Sequence, residues 1–442
     1  MTQSIHRRDF LGGTLSAGLL AAIHVNPTPA ADSQSPNEKL NIAFVGVGNK
    51  GWGNVAQLRN ENVAVLCDVD TNFLGKAAEQ FPKAKQYRDY RRMLDAEHKN
   101  IDAVVVSTAD HSHAGPTALA ITLGKHVYCE KPLTHTVAEA RHLAQLAAKH
   151  KVVTQMGTQV HASGNYRRVV EMIQSGAIGK VHEVYNWCNK DWSGGKFAPS
   201  GQPAPSYVDW DLWLGPAQER PYSPGIHPFH WRRFWEYGTG TFGDMAAHIM
   251  DLPFWALGLR YPTSVVAEGA PVDPVGAARW VMARYEFPAR GAQPPVSFFW
   301  SDGGHHHDIV KKTEDYNGKA LSTWGLGVLF VGDKGMLAAD YGRLMLLPKR
   351  QFEGYQPPKP TIPNSIGHWN EWANACKTAG PTTCNFDYAG ALTETILLGV
   401  VAYRAGEKLE WDAEQLKVSN TSKADELLTK KYRKGFEVVG LQ

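Results

Sequence analysis

Residues 40–51 read Leu40-Asn41-Ile42-Ala43-Phe44-Val45-Gly46-Val47-Gly48-Asn49-Lys50-Gly51, a short apolar run ending in three glycines spaced G-x-G-x-x-G. A helical stretch to about Asn60 and a second apolar run, Val63–Leu66, follow, and Asp68 closes that run 20 residues after Gly48. Strand, glycine turn, helix, strand and acidic residue in that order form the pattern of a dinucleotide-binding βαβ unit. The glycines let the backbone approach a pyrophosphate at a helix N-terminus, where free N–H groups and the helix dipole favour negative charge. Gly46, Gly48, Asn49, Lys50 and Gly51 are therefore the candidate phosphate contacts. Asp68 is the candidate acceptor for the ribose hydroxyls; it repels a 2′-phosphate and so favours NAD over NADP, although a strand-end turn residue is its plainer reading.

The alternation continues outward from this unit. Helices are predicted near Thr71–Gln80, Tyr87–Asp95, Gly115–Leu123 and Val137–His150, and strands at Ala103–Val106, His126–Cys129 and Val152–Met156. Continuously apolar strands separated by helices predict a parallel sheet covered on both faces, here a nucleotide-binding domain over residues 38–157. Ligands of such sheets sit beyond the carboxyl ends of the strands, so Ser107–His113 and Glu130-Lys131-Pro132 should face the cofactor, with Thr108, His111, His113, Glu130 and Lys131 as candidates. From residue 158 the character changes. Apparent strands at Val181–Asn186, Ser264–Glu268, Trp280–Phe287, Val296–Trp300, Gly327–Val331 and Met336–Ala339 are separated by long Gly/Pro/Trp-rich loops. They predict a second, α+β domain over 158–405 with a large, mainly antiparallel open sheet, its last helices near Asn370–Lys377 and Tyr388–Ala405. The charged tail, 406–442, is expected to pack on the surface.

The 442 residues suit two or three domains. With 43% hydrophobic and 20% charged residues, wholesale disorder, collagen and coiled coil are excluded. A net charge of +3 carries no nucleic-acid signature. Residues 1–31, with Arg7-Arg8-Asp9-Phe10-Leu11 before a weakly apolar run, have the layout of a twin-arginine export signal, and 32–39 read as a polar linker. The expectation is an exported protein, periplasmic or extracellular, with the export machinery as a partner and a membrane anchor if the signal is not cleaved. Five cysteines with no C-x-x-C pair describe neither a disulfide framework nor a zinc site, and no metal is expected. That route carries folded passengers, so a bound nucleotide can leave the cell with its protein.

Four motifs in order carry a family likeness: the glycine loop, Thr108-Ala109-Asp110-His111-Ser112-His113, Glu130-Lys131-Pro132, and Gly243-Asp244-Met245-Ala246-Ala247-His248. Together they resemble the glucose-fructose oxidoreductase / inositol dehydrogenase (Gfo/Idh/MocA) family. The resemblance implies a Rossmann domain followed by a C-terminal α/β domain whose open sheet often serves oligomerisation, and NAD(P)-dependent oxidation or reduction of sugars and cyclitols. It also implies that Lys131, Asp244 and His248 sit beside the nicotinamide.

The chemistry of these residues agrees with that implication. Hydride loss from a secondary alcohol needs a proton acceptor at the hydroxyl and positive charge near the developing alkoxide. Lys131 supplies the charge, and His248 is the natural acid/base. Asp244 lies four residues before His248, hence on the same helical face, and can orient its tautomer or bind a sugar hydroxyl. A helix-capping Asp and a core His are the bland alternative, and Asp251 reads as structural. One departure stands out: where typical members carry N-x-R after the last Rossmann strand, this chain has Gln159-Val160-His161, which makes Gln159 and His161 the substrate candidates there. Arg167 and Arg168, on the next helix, divide evenly between substrate contact and packing. His305-His306-His307 reads mainly as a solvated loop.

Fourteen tryptophans are present, seven of them between Trp187 and Trp255, in the segment leading into Asp244. Aromatic faces stack on sugar rings, so Trp192, Trp231 and Trp235 are candidate pocket residues, most of the seven being core. The reading that results is an NAD(P)-dependent oxidoreductase acting on a secondary hydroxyl or keto group of a sugar, glycoside or cyclitol, with NAD tightly bound and a homo-oligomer formed through the C-terminal sheet. An NAD-dependent glycosidase that oxidises its sugar transiently is the alternative, and a non-catalytic sugar-binding protein ranks third.

Overall fold

In the computed structural model, which describes residues 38–441, the opening apolar run is the central strand of a parallel sheet. Strands β1 (Asn41–Val45), β2 (Asn62–Cys67), β3 (Lys85–Tyr87), β4 (Ala103–Val106), β5 (His126–Glu130) and β6 (Thr154–Gly157) lie in the order β3-β2-β1-β4-β5-β6. Every neighbouring pair is parallel. Side chains alternate across the sheet. Ala43, Val45, Val104 and Val106 enter one core, while Ile42, Phe44, Val105 and Tyr128 enter another on the opposite face. Both faces are covered, which is why these strands read as unbroken apolar runs. The short edge strand β3 gave no such signal, because two of its three residues are exposed.

The covering helices are fixed by local chemistry. Asp70 caps the helix Thr71–Gln80 by accepting from the amides of Asn72 and Phe73. Thr136 and Glu139 form a reciprocal capping box at the start of Val137–His150. Two covering elements come from far along the chain. The helix His368–Thr378 places Trp372, Ala373 and Cys376 in the core beneath Phe44 and Tyr128. The helix Phe386–Ala405, buried along most of its length, packs against Val137–His150, and its Glu394 receives a two-pronged bond from Arg141 at 2.9 and 3.0 Å.

The second sheet has nine strands: β7 (Val181–Cys188), β8 (Ser264–Gly269), β9 (Val281–Phe287), β10 (Val296–Asp302), β11 (Leu326–Gly332), β12 (Gly335–Ala339), β13 (Leu344–Leu347), β14 (Leu409–Asp412) and β15 (Lys417–Val418). Their order is β13-β12-β11-β7-β10-β9-β8-β14-β15, with β7 and β10 parallel and all other pairs antiparallel. The segment after residue 405 does more than lie on the surface. Its strand β14 extends the sheet by pairing with β8, and Phe436 and Val438 near its end are buried.

The export signal at 1–31 and nearly all of the linker fall outside the described residues. All five cysteines are buried and unpaired. Among the described residues no helix is long and apolar enough to cross a membrane.

Candidate active site

The glycine loop joins β1 to the helix Lys50–Gln57. Gly46 has φ +83°, and a Cβ there would stand 2.6 Å from the carbonyl oxygen of Ser107; a Cβ on Gly51 would stand 2.1 Å from the carbonyl of Gly46. Side chains at these two positions are therefore excluded by backbone, which brings the loop, the helix start and the end of β4 into close contact. The first turn of that helix leaves N–H groups without intrahelical partners. Gly46, Gly48, Asn49, Lys50, Asp68 and Thr108 line one cavity. Asp68 accepts from the amides of Val47 (2.8 Å) and Asp70 (2.9 Å). Each carboxylate oxygen keeps a lone pair for a ribose hydroxyl. Burial raises the Asp68 pKa against these two bonds. The loop, the helix start and Asp68 fit an adenine dinucleotide.

The other expected cofactor contacts take structural places. His113 lies with its ring nitrogens 2.8 and 3.1 Å from the carbonyls of Pro132 and Thr108, clamping the turn after β5 to the loop after β4. Burial pushes its pKa down to about 4. His111 borders the cavity, but its Nε2 is 3.1 Å from the Trp213 carbonyl, and burial holds its pKa at about 3. Glu130 is buried beneath the loop. It accepts from Asn54 and Gln159 (both 2.9 Å) and pairs with Lys50 at 3.5 Å. Gln159 donates also to the Tyr128 hydroxyl, so it belongs to this buried network rather than to a substrate pocket. His161 is fully buried, pairs with Asp251 at 2.9 Å and stacks on Trp255 at 4.1 Å; the expectation of a substrate contact is corrected to a core histidine. Arg167 and Arg168 are likewise spent, on Glu371 and Glu171.

Lys131, Asp244 and His248 converge from elements more than one hundred residues apart in sequence. Lys131 precedes a cis proline at the end of β5. Its Nζ donates to the Asp244 carboxylate at 2.7 Å and to the Asp244 backbone carbonyl at 2.8 Å. Two of its three N–H groups are thereby used and one remains. Asp244 also accepts from Nε of Arg232 at 2.9 Å. Burial raises the Asp244 pKa, but the Lys131 and Arg232 charges outweigh it and hold the carboxyl below the usual range. Asp110, buried nearby and bonded to Thr239, goes the other way: burial lifts its pKa to about 7.

Asp244 does not orient His248. That role falls to Thr158, which the sequence reading did not single out. Its hydroxyl donates to the Ala247 carbonyl at 2.8 Å, so its oxygen is left to accept from His248 Nδ1 at 3.1 Å. The bond assigns the proton to Nδ1 and leaves Nε2 as the acceptor. Burial, then the Lys131 charge, push the His248 pKa well below the ordinary value.

The tryptophan segment divides. Trp235 is core, its indole bonded to the Asp273 carbonyl at 3.0 Å. Trp231 lines the cavity with Phe229 and Arg232, whose guanidinium lies 4.0 Å from the Trp231 ring centroid. Trp192 packs edge-on against Phe229 at 5.6 Å, and its buried indole N–H has no hydrogen-bond partner among the described residues. Arg232 is the residue that links this aromatic wall to Asp244. No motif pointed to it; its only signal was its place inside the tryptophan-rich stretch.

Glycine loop, a carboxylate at the end of β2 and a lysine–aspartate–histidine cluster under a second sheet define a two-domain, Rossmann-type nucleotide-binding protein. The family model for an oxidoreductase family with an NAD-binding Rossmann fold matches residues 40–158, and the model for its C-terminal alpha/beta domain matches 165–291. These matches cover more than half of the chain, which belongs to the Gfo/Idh/MocA oxidoreductase family. Among curated relatives, Glycosyl hydrolase family 109 protein 1 of Shewanella sp. (strain ANA-3) is 29% identical over 210 residues, 40% of this chain and 44% of the relative. Inositol 2-dehydrogenase of Salmonella paratyphi B is 27% identical over 152 residues, 33% of this chain and 45% of the relative. The chain thus spans less than half the length of the curated relatives it matches. Among solved structures, the WlbA dehydrogenase from Bordetella pertussis, determined with NADH and UDP-GlcNAcA, shares the fold with a TM-score of 0.57 at 17% identity, over 85% of this chain and 99% of that one.

Proposed function

We propose that this chain is an NAD-dependent oxidoreductase acting on a secondary hydroxyl or keto group of a sugar, glycoside or cyclitol. The observation that carries the proposal is the Lys131–Asp244–Arg232 ion cluster set beside a neutral His248 whose Nδ1 is fixed by Thr158. Bound nicotinamide supplies the hydride acceptor. His248 Nε2 takes the hydroxyl proton, and the remaining N–H of Lys131 faces the negative charge that develops on the oxygen. Asp244 holds Lys131 in place. Arg232, Trp231, Phe229 and Trp192 form the wall that receives the sugar ring.

A second reading is supported by the glycosyl hydrolase relatives: the same proton-handling groups suit an NAD-dependent glycosidase that oxidises its sugar transiently, eliminates the aglycone and reduces the product. Incubation with free sugars, cyclitols and aryl glycosides separates the two. NADH accumulation with free sugars or cyclitols supports net oxidation, whereas aglycone release without net NADH supports the glycosidase. Inertness toward every class, with nucleotide bound, would sink both.

The paired arginines at Arg7-Arg8 support export as part of this reading, and the broad second sheet, with Val266 41% exposed on β8, supports association of copies through that sheet. Export is tested by locating the full chain in cell fractions, and association by light scattering.

A further inference from the structure

The proton-handling cluster carries more positive charge than its acids balance. Lys131 and Arg232 share one carboxylate, that of Asp244, at 2.7 and 2.9 Å. Arg232 spends only its Nε on that bond. Its Nη1 reaches the Phe229 carbonyl at a long 3.5 Å, and among the described residues its Nη2 has no hydrogen-bond partner. The guanidinium borders the cavity, braced by the Trp231 and Phe229 rings at 4.0 and 5.1 Å from their centroids. Lys190, just past the end of β7, adds a second cation. It is exposed, its Nζ lies 5.9 Å from the Trp192 ring centroid, and among the described residues it makes no ion pair. Its charge reaches the reacting centre: burial, then the charges of Lys131, Lys50 and Lys190, push the His248 pKa down. Lys50 is answered by Glu130 at 3.5 Å. Asp110 acts on Arg232 and Lys131 from a buried place, and burial lifts its pKa to about 7, so it is only partly ionised at neutral pH. Two exposed aromatic rings stand at the same cluster, Phe229 beside Arg232 and Tyr341 edge-on to His248 at 6.4 Å. Such rings suit the C–H faces of a sugar, which leaves the two free cations for an acidic substituent on it.

We propose that the free edge of Arg232 and the ammonium group of Lys190 form a carboxylate subsite, and that the substrate is a sugar acid, a hexuronate or its glycoside. The inference rests on the oxidoreductase reading above and narrows its substrate class. The carboxylate is a handle and takes no part in the redox step. A planar guanidinium offers paired N–H groups that match a carboxylate, and Lys190 adds a mobile point charge beside it. Both cations come from the tryptophan-rich segment that leads into Asp244, not from the motifs that handle nucleotide and proton.

The test uses the full chain loaded with NADH and titrated with D-glucuronate, D-galacturonate, the parent hexoses and the hexose 6-phosphates, followed by tryptophan fluorescence and calorimetry. Hexuronates should bind at least about tenfold more tightly than the parent hexoses, and added salt should shrink that margin. Lys190→Met, and Arg232→Lys, which keeps the charge but loses the planar fork, should each cut the margin at least about threefold, with thermal melting recorded to show that both variants fold. Equal affinity for hexuronates and hexoses, or a margin unchanged in both folded variants, would overturn the proposal while leaving the oxidoreductase reading intact. Tighter binding of the hexose phosphates would overturn it in favour of a phosphate subsite. A loss confined to NADH affinity in Arg232→Lys would overturn it by giving the free edge to the dinucleotide. Absence of binding by NADH, or by every sugar, would remove both readings.

Discussion

At the residue scale, the division of labour among Lys131, Asp244, Thr158 and His248 makes separable predictions. On the proposed mechanism Lys131→Ala removes the cation that faces the reacting oxygen, so kcat should fall by about 10²–10⁴-fold with nucleotide affinity nearly unchanged, as read by single-turnover kinetics and NADH titration. Near-normal turnover would contradict the mechanism. Thr158→Val deletes one hydrogen bond to His248 Nδ1, worth about 1 kcal/mol, so kcat should drop about fivefold with KM kept, and Thr158→Ser should restore it. His248 has its pKa pushed well below the ordinary histidine value by burial and by Lys131. Its neutral, proton-accepting form therefore persists as pH falls, and the kcat profile should show no histidine-like inflection near pH 6.5; an inflection there would place His248 in a more solvated setting. The sequence pointed to Lys131, Asp244 and His248 through short motifs that fix residue type and spacing. It could not point to Thr158 or Arg232, because their roles depend on what packs next to them across about ninety residues and twelve residues, respectively.

At the element scale, the nucleotide-binding sheet is not covered by its own stretch of chain alone. The helix His368–Thr378 lays the fully buried Trp372 against Tyr128 at 5.7 Å between ring centroids. Trp372→Ala should cost about 3–5 kcal/mol and weaken NADH binding, although no atom of Trp372 borders the cavity, and chemical denaturation followed by NADH titration measures both. A fragment of residues 38–157 should expose the Phe44 and Tyr128 face and fail to give a cooperative melt. An unaltered melt in Trp372→Ala would show that this helix is dispensable. Most strands and helices were legible because period-two and period-three-to-four patterns are local; β13 and β15 were not among them. Strand β3 was missed because an exposed three-residue edge has no apolar signature, and β14 because its partner β8 is remote in sequence.

At the scale of the whole molecule, buried histidines set the acid limit. Burial depresses His111 and His368 to about 3 and His113 to about 4, and drives His135 and His248 well below their ordinary value. Their folded pKa values lie below the unfolded one, so the unfolded chain takes up protons first, and stability present at neutral pH is lost as pH falls below about 6.5. Asp110 and Asp302, raised by burial to about 7, work in the opposite direction and gain from acidification between about pH 7 and 4. Asp68 and Glu394, also raised by burial, work with these two acids, but the depressed histidines outnumber the raised acids, so acidification costs stability on balance. Thermal melting should therefore fall steeply between pH 6 and 4, and His368→Gln should flatten the slope; a Tm constant over that range would refute the assignment of these histidines as buried and neutral. By itself the sequence determined the parallel sheet and the glycine loop, because steric limits and side-chain periodicity act within a few residues, and its family resemblance singled out Lys131, Asp244 and His248. Only the tertiary structure decided which histidines are core, which tryptophans face the cavity, and that Phe436 and Val438 border it. Those outcomes depend on contacts between segments far apart in the chain, and burial, not residue type, then sets what each group can do.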